Sequence, residues 1–402
     1  MGSLRSVLRF RRLELNGDER RLRAAANVED LRLIARRRLP RGVFDYVDGG
    51  AGAEVSMRHN VEVFDRVDFV PRVLNDVAAV DPSTTLLGRS LPFPLVLGPT
   101  GFTRIVTPGG ELDVARVASQ VGLPYTLSTL STRSIEEVAA VSSGPKWFQV
   151  YVWRDRGLVK DMIDRAAAAG YEAIMLTVDT AVLGRRERDV RRGFTLPPKL
   201  GVGTLLDGAL HPAWTWAFAR AEPVTFANVI RPGGTAPGEA VTLADYVNQQ
   251  FDPGLSWRDL DWFRAAWPGP IVVKGIQCVA DAKIAADEGI DVISLSNHGG
   301  RQLDGSPPIL ELVAPVADAV GDRAEIICDG GVRRGSDIVK AVALGARACS
   351  IGRAYLYGLA AGGERGVRHV LDEMRADVVR TMALSGRRDI SELSPELVRW
   401  RP

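Results

Sequence analysis

The segment Ser296-Asn297-His298-Gly299-Gly300-Arg301-Gln302-Leu303-Asp304-Gly305 sets a base, an arginine and a pair of glycines side by side. Histidine exchanges a proton near neutral pH. Arginine offers a planar fork that matches a carboxylate. The glycines let the backbone turn sharply and let a flat ligand come close. Together they suit chemistry at the carbon next to a carboxylate. The segment follows Val292-Ile293-Ser294-Leu295, an apolar run that reads as a buried strand.

A loop of this kind needs a frame that brings other reactive groups to it. From residue 95 onward short apolar runs alternate with helical stretches. The runs are Leu95–Gly98, Pro124–Thr129, Lys146–Val152, Ala173–Asp179, Ile271–Ile276, Val292–Asn297, Ala324–Gly331 and Ala348–Arg353. Segments such as Gly157–Ala169 and Ala280–Glu288 carry the 3.6-residue apolar period. Gly170, Gly289 and Gly345 stand where left-handed helix caps are expected. Eight strands alternating with helices predict an α/β fold, a parallel (β/α)8 TIM barrel. An open doubly wound sheet is the competitor, but no GxGxxG follows the first strand. Tyr151, Asp179, Lys274, His298, Asp329 and Arg353 fall at or just after the ends of different runs. In a barrel those ends meet at one mouth.

The chain is read as one domain over residues 1–402, with a helical segment at 1–94 and the barrel at 95–385. A Gly- and Pro-rich loop at 200–255 interrupts the rhythm between strands four and five. It carries the aromatic cluster His211-Pro-Ala-Trp-Thr-Trp-Ala-Phe218 and is expected to form a lid over the mouth. Contact with a membrane surface is the second reading of that cluster, because Trp favours interfaces.

Asp329-Gly330-Gly331-Val332-Arg333 follows strand seven and Gly352-Arg353 follows strand eight. Those are the loops where barrels commonly hold a phosphate, and glycine amides with two arginines suit a dianion. Lys274 ends strand five in a run that should be buried, so its ammonium needs a partner. That partner is either a carboxylate across the barrel or a cofactor that becomes anionic on reduction, as a flavin ring does. Asp179, at the same mouth, is placed to stabilise a protonated His298. Arg185, Arg186, Arg188, Arg191 and Arg192 read mostly as a solvated basic face. Tyr46 and Tyr151 either hydrogen-bond a substrate oxygen or pack as aromatics.

The bulk numbers narrow the class. A hydrophobic content of 46% in 402 residues predicts a globular chain with a large core. A net charge of +2 argues against a nucleic-acid partner. Residues 1–41 nevertheless hold twelve arginines, no lysine and five acids, a basic helix that is either solvated or drawn to an anionic membrane. Cys278, Cys328 and Cys349 show no metal-ligand spacing and read as reduced, buried thiols of a cytoplasmic protein. No metal is expected, no apolar run is long enough to cross a bilayer, and the N-terminus lacks a secretory core.

Three blocks carry a resemblance: Leu176-Thr-Val-Asp179 with Leu183-Gly-Arg-Arg186, Ser296-to-Asp304, and Asp329-Gly-Gly-Val-Arg-Arg-Gly335. The chain resembles the FMN-dependent L-2-hydroxy acid oxidase and dehydrogenase family, which includes glycolate oxidase, flavocytochrome b2, L-lactate dehydrogenase and mandelate dehydrogenase. The likeness runs from Leu39–Tyr46 to Met382–Gly386 and is strongest to bacterial L-lactate dehydrogenases. It implies that His298 removes the substrate's α-proton, or its hydroxyl proton if hydride transfer is the path. It implies that Asp179 stabilises the imidazolium, that Arg301 and Tyr46 bind the carboxylate, and that Tyr151 contacts the hydroxyl. Arg186 would add positive charge beside the same oxygens. Lys274 would stand by the flavin N1–C2=O edge. Pro99, Thr100 and Gly101 would pass flavin N5. Ser128, Gln149, Thr177 and Ser296 would bond the ring or ribityl chain. Asp329, Gly331, Arg333, Gly352 and Arg353 would hold ribityl and phosphate.

Three positions depart from the family pattern. Gly101 stands where glycolate oxidases carry alanine, Leu130 where plant glycolate oxidases carry tryptophan, and Ala181 where proline is common. The first bears on oxygen access and the second leaves room for a substrate larger than glycolate. The resemblance implies oxidation of L-lactate to its keto acid, with electrons passed to a quinone, another acceptor or O2, in a homotetramer. A flavocytochrome arrangement is not expected, because no haem domain precedes residue 1. A mandelate-type substrate is the nearest alternative. An FMN-dependent isomerase or a non-catalytic flavin-binding scaffold stands further off.

Overall fold

The computed structural model describes residues 16–192, 201–229 and 249–401. Eight parallel strands close into a barrel: β1 (Leu95–Leu97), β2 (Tyr125–Ser128), β3 (Lys146–Tyr151), β4 (Ala173–Thr177), β5 (Ile271–Ile276), β6 (Val292–Ser296), β7 (Glu325–Asp329) and β8 (Ala348–Ile351). Each pairs with the next in chain order, and β8 closes on β1. The TIM-barrel expectation therefore holds, strand by strand. The caps do too: Gly170, Gly289 and Gly345 all have positive φ.

Strand alternation builds the site. Successive side chains point to opposite faces of a strand. Outward residues such as Phe148, Ile174, Val273, Ile293 and Cys328 are apolar and pack in the large core beneath the helices. Inward residues change character along the strand. Near the N-terminal end Val96, Trp147, Met175, Val272, Val292 and Ile327 fill the barrel as a separate apolar cluster. Near the C-terminal end the inward positions turn polar, as at Gln149, Thr177, Lys274, Ser296 and Asp329.

Residues 16–94 are not helical throughout. Helices at Gly17–Ala24, Val28–Arg38, Arg41–Asp48 and Val55–Glu62 are followed by a hairpin, Thr84–Leu86 with Arg89–Leu91. Leu86 and Leu91 join the apolar cluster inside the barrel and plug its lower end. The two-residue turn Leu87-Gly88, with both φ positive, was the signal for that hairpin. A short strand, Val67–Phe69, pairs with Val398–Trp400 near the C-terminus.

The insertion also differs from an irregular lid. Val202–Leu210 and Pro212–Arg220 are helices, and residues 221–229 run back along the mouth. Residues 230–248 of the insertion, and 1–15 of the basic N-terminal segment, lie outside the described residues. Among the cysteines, Cys328 and Cys349 are buried as expected, but Cys278 is exposed. Its Sγ caps a helix by accepting the Asp281 N–H at 3.4 Å.

Arg188 is no solvated surface charge. It donates to Asp48 at 2.8 Å and to Glu54 at 2.5 Å. Asp48, 2% exposed, also accepts from Arg32 Nε at 2.5 Å and Tyr357 Oη at 2.7 Å. Burial alone would raise the Asp48 pKa. The Arg32 and Tyr357 hydrogen bonds outweigh it and hold the carboxyl well below its ordinary value. A depressed folded-state pKa gives stability that is present above the unfolded value and lost as pH falls through the folded one. Asp48→Asn should lower stability at pH 7 by about 3 kcal/mol, because two arginines lose their buried counter-charge. Urea unfolding would measure it, and the deficit should narrow as the pH drops below the ordinary aspartate range.

Candidate active site

His298, Gly299 and Gly300 follow β6 with φ of 58°, 65° and 74°. A non-glycine residue in that left-handed region costs about 1–3 kcal/mol and persists only where its surroundings enforce it. Here Ser296 Oγ accepts the His298 N–H at 3.0 Å, and Asn297 Oδ1 accepts the Gly300 N–H at 3.0 Å. Asn297 is itself locked by a reciprocal amide pair with buried Asn60, at 2.7 and 3.0 Å. Nothing in the sequence pattern singled out Asn60, which lies in a helix more than two hundred residues away.

The His298 ring presents Nδ1 to Asp179 Oδ1 at 3.0 Å and Oδ2 at 3.2 Å. A carboxylate only accepts, so Nδ1 carries the proton and Nε2 keeps a free lone pair. Tyr151 Oη stands 3.5 Å from Nε2. Burial pushes the His298 pKa below its ordinary value, and Asp179 offsets this only in part. The ring is therefore a neutral base at pH 7. Burial would raise Asp179, but His298 and Lys274 outweigh it and keep the carboxyl ionised. Burial likewise raises the Tyr151 hydroxyl, which stays protonated.

Asp179 owes its place to a residue that the sequence reading passed over. The β5–β6 register shifts between Lys274 and Ile276. Gly275, at the bulge, has a φ of +115°, and a Cβ there would meet Asp179 Cβ at 2.8 Å. A glycine inside a strand run is the available sign of such a close approach.

The cations form the other half of the site. Arg301 donates both NH1 hydrogens, to Tyr46 O and Gly49 O, each at 2.8 Å. Its Nε–NH2 edge remains for a carboxylate. Burial, then Arg186 and Arg353, bring its pKa down to about 9. Arg353 donates to Gly49 O and Gly299 O at 2.7 Å and to Val47 O at 3.3 Å. Three of its five donors are thus tied to backbone, leaving two. Tyr46, Val47 and Gly49 end the helix Arg41–Asp48, whose last carbonyls lack helical partners and carry its negative dipole end. Arg186 and Arg301 flank the Tyr46 ring, 5.4 and 5.3 Å from its centroid. Arg186 also donates to Asp189 at 2.6 Å. Lys274 has the carboxylate partner that its burial demands: Asp329, at 3.2 Å. Ser296 Oγ joins them, accepting from Lys274 at 3.0 Å and donating to Asp329 at 2.7 Å.

These groups surround a cavity of about 470 Å3 at the barrel mouth. Tyr46, Pro99, Thr100, Gly101, Tyr151, Arg186, Lys274, His298, Arg301, Asp329, Gly331, Arg333, Gly352 and Arg353 all line it. Asp179 stands behind His298. Ser128, Gln149, Thr177 and Ser296 are not on the wall. Ser128 donates to Gln149 at 3.0 Å and Gln149 to Thr177 at 2.8 Å, a buried polar chain across three adjacent strands. No cluster of metal-ligating side chains occurs among the described residues.

The fold and geometry define a barrel whose mouth holds a neutral, buried histidine and a rim of arginines. A model for the FMN-dependent dehydrogenase family matches residues 35–400. The L-lactate dehydrogenase of Caulobacter vibrioides (strain NA1000 / CB15N) is 44% identical over 381 residues, 94% of this chain and 98% of its own. A relative in Mycobacterium tuberculosis (strain ATCC 25618 / H37Rv) is 46% identical over 396 residues, 98% of this chain and 94% of its own. The crystal structure of the monotopic membrane protein (S)-mandelate dehydrogenase superposes with a TM-score of 0.88 at 41% identity, covering 93% of this chain and 99% of that one. The chain belongs to the FMN-dependent dehydrogenase family.

The residues present fit FMN. The helix Arg353–Gly362 opens on the cavity with glycine at its N-cap and no side-chain cap, a ready phosphate site beside Arg333 and Arg353. Ser350, another lining residue, has a buried hydroxyl without a protein partner. Gly275→Ala should leave the barrel folded but displace Asp179, and a shift of about 1 Å costs on the order of 100-fold in rate. Comparing thermal midpoints with flavin reduction rates in wild type and variant would check it.

Proposed function

We propose that this protein oxidises an L-2-hydroxy acid, foremost L-lactate, to the corresponding 2-keto acid in an FMN-dependent reaction. One observation carries the reading: neutral His298, backed by ionised Asp179, shares its cavity with the free Nε–NH2 edge of Arg301. That edge takes the substrate carboxylate, with the Tyr46 side chain beside it. His298 Nε2 takes the proton released at the α-carbon or its hydroxyl, and Asp179 stabilises the imidazolium. Tyr151 Oη hydrogen-bonds the substrate oxygen, and Arg186 adds positive charge where that oxygen becomes a carbonyl. FMN, when bound, accepts the electron pair released by the substrate.

For the cofactor, Lys274 would supply the positive charge that stabilises reduced, anionic FMN. Pro99, Thr100 and Gly101, on the cavity wall, would pack against the ring, and Ser128, Gln149, Thr177 and Ser296 would supply hydrogen bonds to the ring or ribityl chain. Asp329, Gly331, Arg333, Gly352 and Arg353, which line the same cavity, would hold the ribityl and phosphate. A larger aromatic hydroxy acid is the second reading, supported by solved neighbours described as mandelate dehydrogenase and mandelate oxidase.

The helices at 202–220 support peripheral contact with a membrane and hence a quinone as acceptor. Leu206, Leu210 and Trp216 are exposed there, Trp216 by 62%. No helix among the described residues is long and apolar enough to cross a membrane. Assembly into four copies is proposed on family resemblance alone.

Anaerobic mixing with a panel of L- and D-2-hydroxy acids tests the function. Bleaching of the flavin by L-isomers supports it, and indifference to every one of them defeats it. His298→Ala should retain FMN while reduction by L-lactate slows by about 100- to 10,000-fold, the usual worth of a general base. In wild type, kcat/KM should rise with pH through a pKa below the ordinary histidine value and be level at neutrality, since burial favours the neutral ring.

A further inference from the structure

The insertion returns to the mouth and is fastened there at several points. Trp214 Nε1 donates to Ile105 O at 2.9 Å. Ala227 N donates to Ser131 O at 3.1 Å, and Asn228 bonds Ser131 Oγ at 2.8 Å and the Ile135 N–H at 3.0 Å. Between these points Arg104 donates to Glu222 O at 2.7 Å and Pro223 O at 3.3 Å. Arg104 is 4% exposed, forms no ion pair among the described residues, and leaves its Nε without a partner there. Burial and Arg133 disfavour its charge and outweigh the Glu222, Glu111 and Glu137 carboxylates, which favour it without bonding it, so the guanidinium is costly to bury. Such a cation is explained by the segment that it holds.

That segment carries Phe226. Its ring lies 5.4 Å from the ring of Phe102, which sits in the left-handed region at φ 60° just before the turn that bears Arg104. Both rings are 5% exposed and line the mouth cavity. The wall is two-sided: His298, Arg301 and Tyr151 are polar, whereas Leu130, Ile105, Phe102 and Phe226 are apolar. A hydroxy acid bound by its polar end must turn its side chain toward the apolar wall. A Cβ at Gly101 would lie 3.1 Å from Leu130 Cβ, so that wall is already close-packed on the barrel side.

We propose that Phe226, delivered by the insertion, sets the upper size of the substrate side chain together with Phe102, and that Arg104 is the positioning residue that holds Phe226 in place. The proposal rests on the hydroxy-acid reading of the site. It makes side-chain selectivity depend on the insertion as well as on the barrel.

The test is steady-state oxidation, with an artificial electron acceptor, and anaerobic flavin reduction of the holoenzyme by L-lactate, L-2-hydroxybutyrate and L-2-hydroxyhexanoate, for wild type, Phe226→Ala, Arg104→Ala and Arg104→Lys. Phe226→Ala should raise the kcat/KM ratio of hydroxyhexanoate to lactate by about tenfold or more, the scale on which apolar pockets discriminate added methylenes. Arg104→Ala should move the ratio the same way, mainly through KM, and Arg104→Lys should restore part of it. Thermal midpoint and flavin content show that each variant is folded. If Arg104→Ala does not fold, Phe226→Ala and Phe226→Leu decide the matter. A ratio unchanged in Phe226→Ala, with all substrates slowed alike, overturns the proposal and leaves the hydroxy-acid reading standing. A wild type that none of the three acids reduces overturns both.

Discussion

Positive charge crowded around one buried cavity is the constraint that the rest of the structure answers. Arg186, Arg301, Arg333, Arg353 and Lys274 all line the mouth. Like charges at such separations repel strongly where water is scarce. The chain meets this by more than one means. Lys274 and Arg186 receive carboxylates, Asp329 and Asp189. Arg301 and Arg353 receive only carbonyls, and both bond Gly49 O. That carbonyl lies at the C-terminal end of the helix Arg41–Asp48, where the helix dipole is negative. The N-terminal helices are therefore part of the site. Asp48, bound by Arg32, Arg188 and Tyr357, fixes the helix end that steadies two of the cations. Because carbonyls are neutral, the rim keeps its charge, and that residual charge draws an anionic substrate and cofactor.

What was legible in the sequence follows from this arrangement. All eight barrel strands were readable, because their apolar runs and cap glycines are local signals. So were the lining residues His298, Arg301, Lys274 and Arg353, which sit at strand ends. The groups that orient them were not. Asn60 acts on Asn297, Asp48 acts through a helix end, and Gly275 makes room for Asp179 from the neighbouring strand. Each works across a contact with no fixed spacing along the chain. The hairpin Thr84–Leu91 is the exception, since its Leu87-Gly88 turn is a local signal that a helical reading of 1–94 overrode. The helices at 202–220 were masked by the Gly and Pro content of the segments around them.

The same electrostatics decides what kind of base His298 would be in the proposed reaction. Lys274 and Arg301 both oppose protonation of the ring, and burial opposes it more. Left to these alone, the imidazole would be a weak base, unable to keep a proton once taken. Asp179 corrects this without charging the ring in advance, because its own pKa is lowered and it stays anionic. Burial and the neighbouring cations thus hold the ring neutral before substrate arrives, and in the proposed reaction Asp179 would stabilise the imidazolium afterwards, so charge is favoured only when it develops. The bulge at Gly275 is what permits the pairing. A regular strand with a side chain at that position would drive Asp179 away from Nδ1 and leave the base among cations alone. A one-residue irregularity in β5 therefore sets the proton affinity of a histidine carried by β6, and the enclosing barrel keeps the two in register.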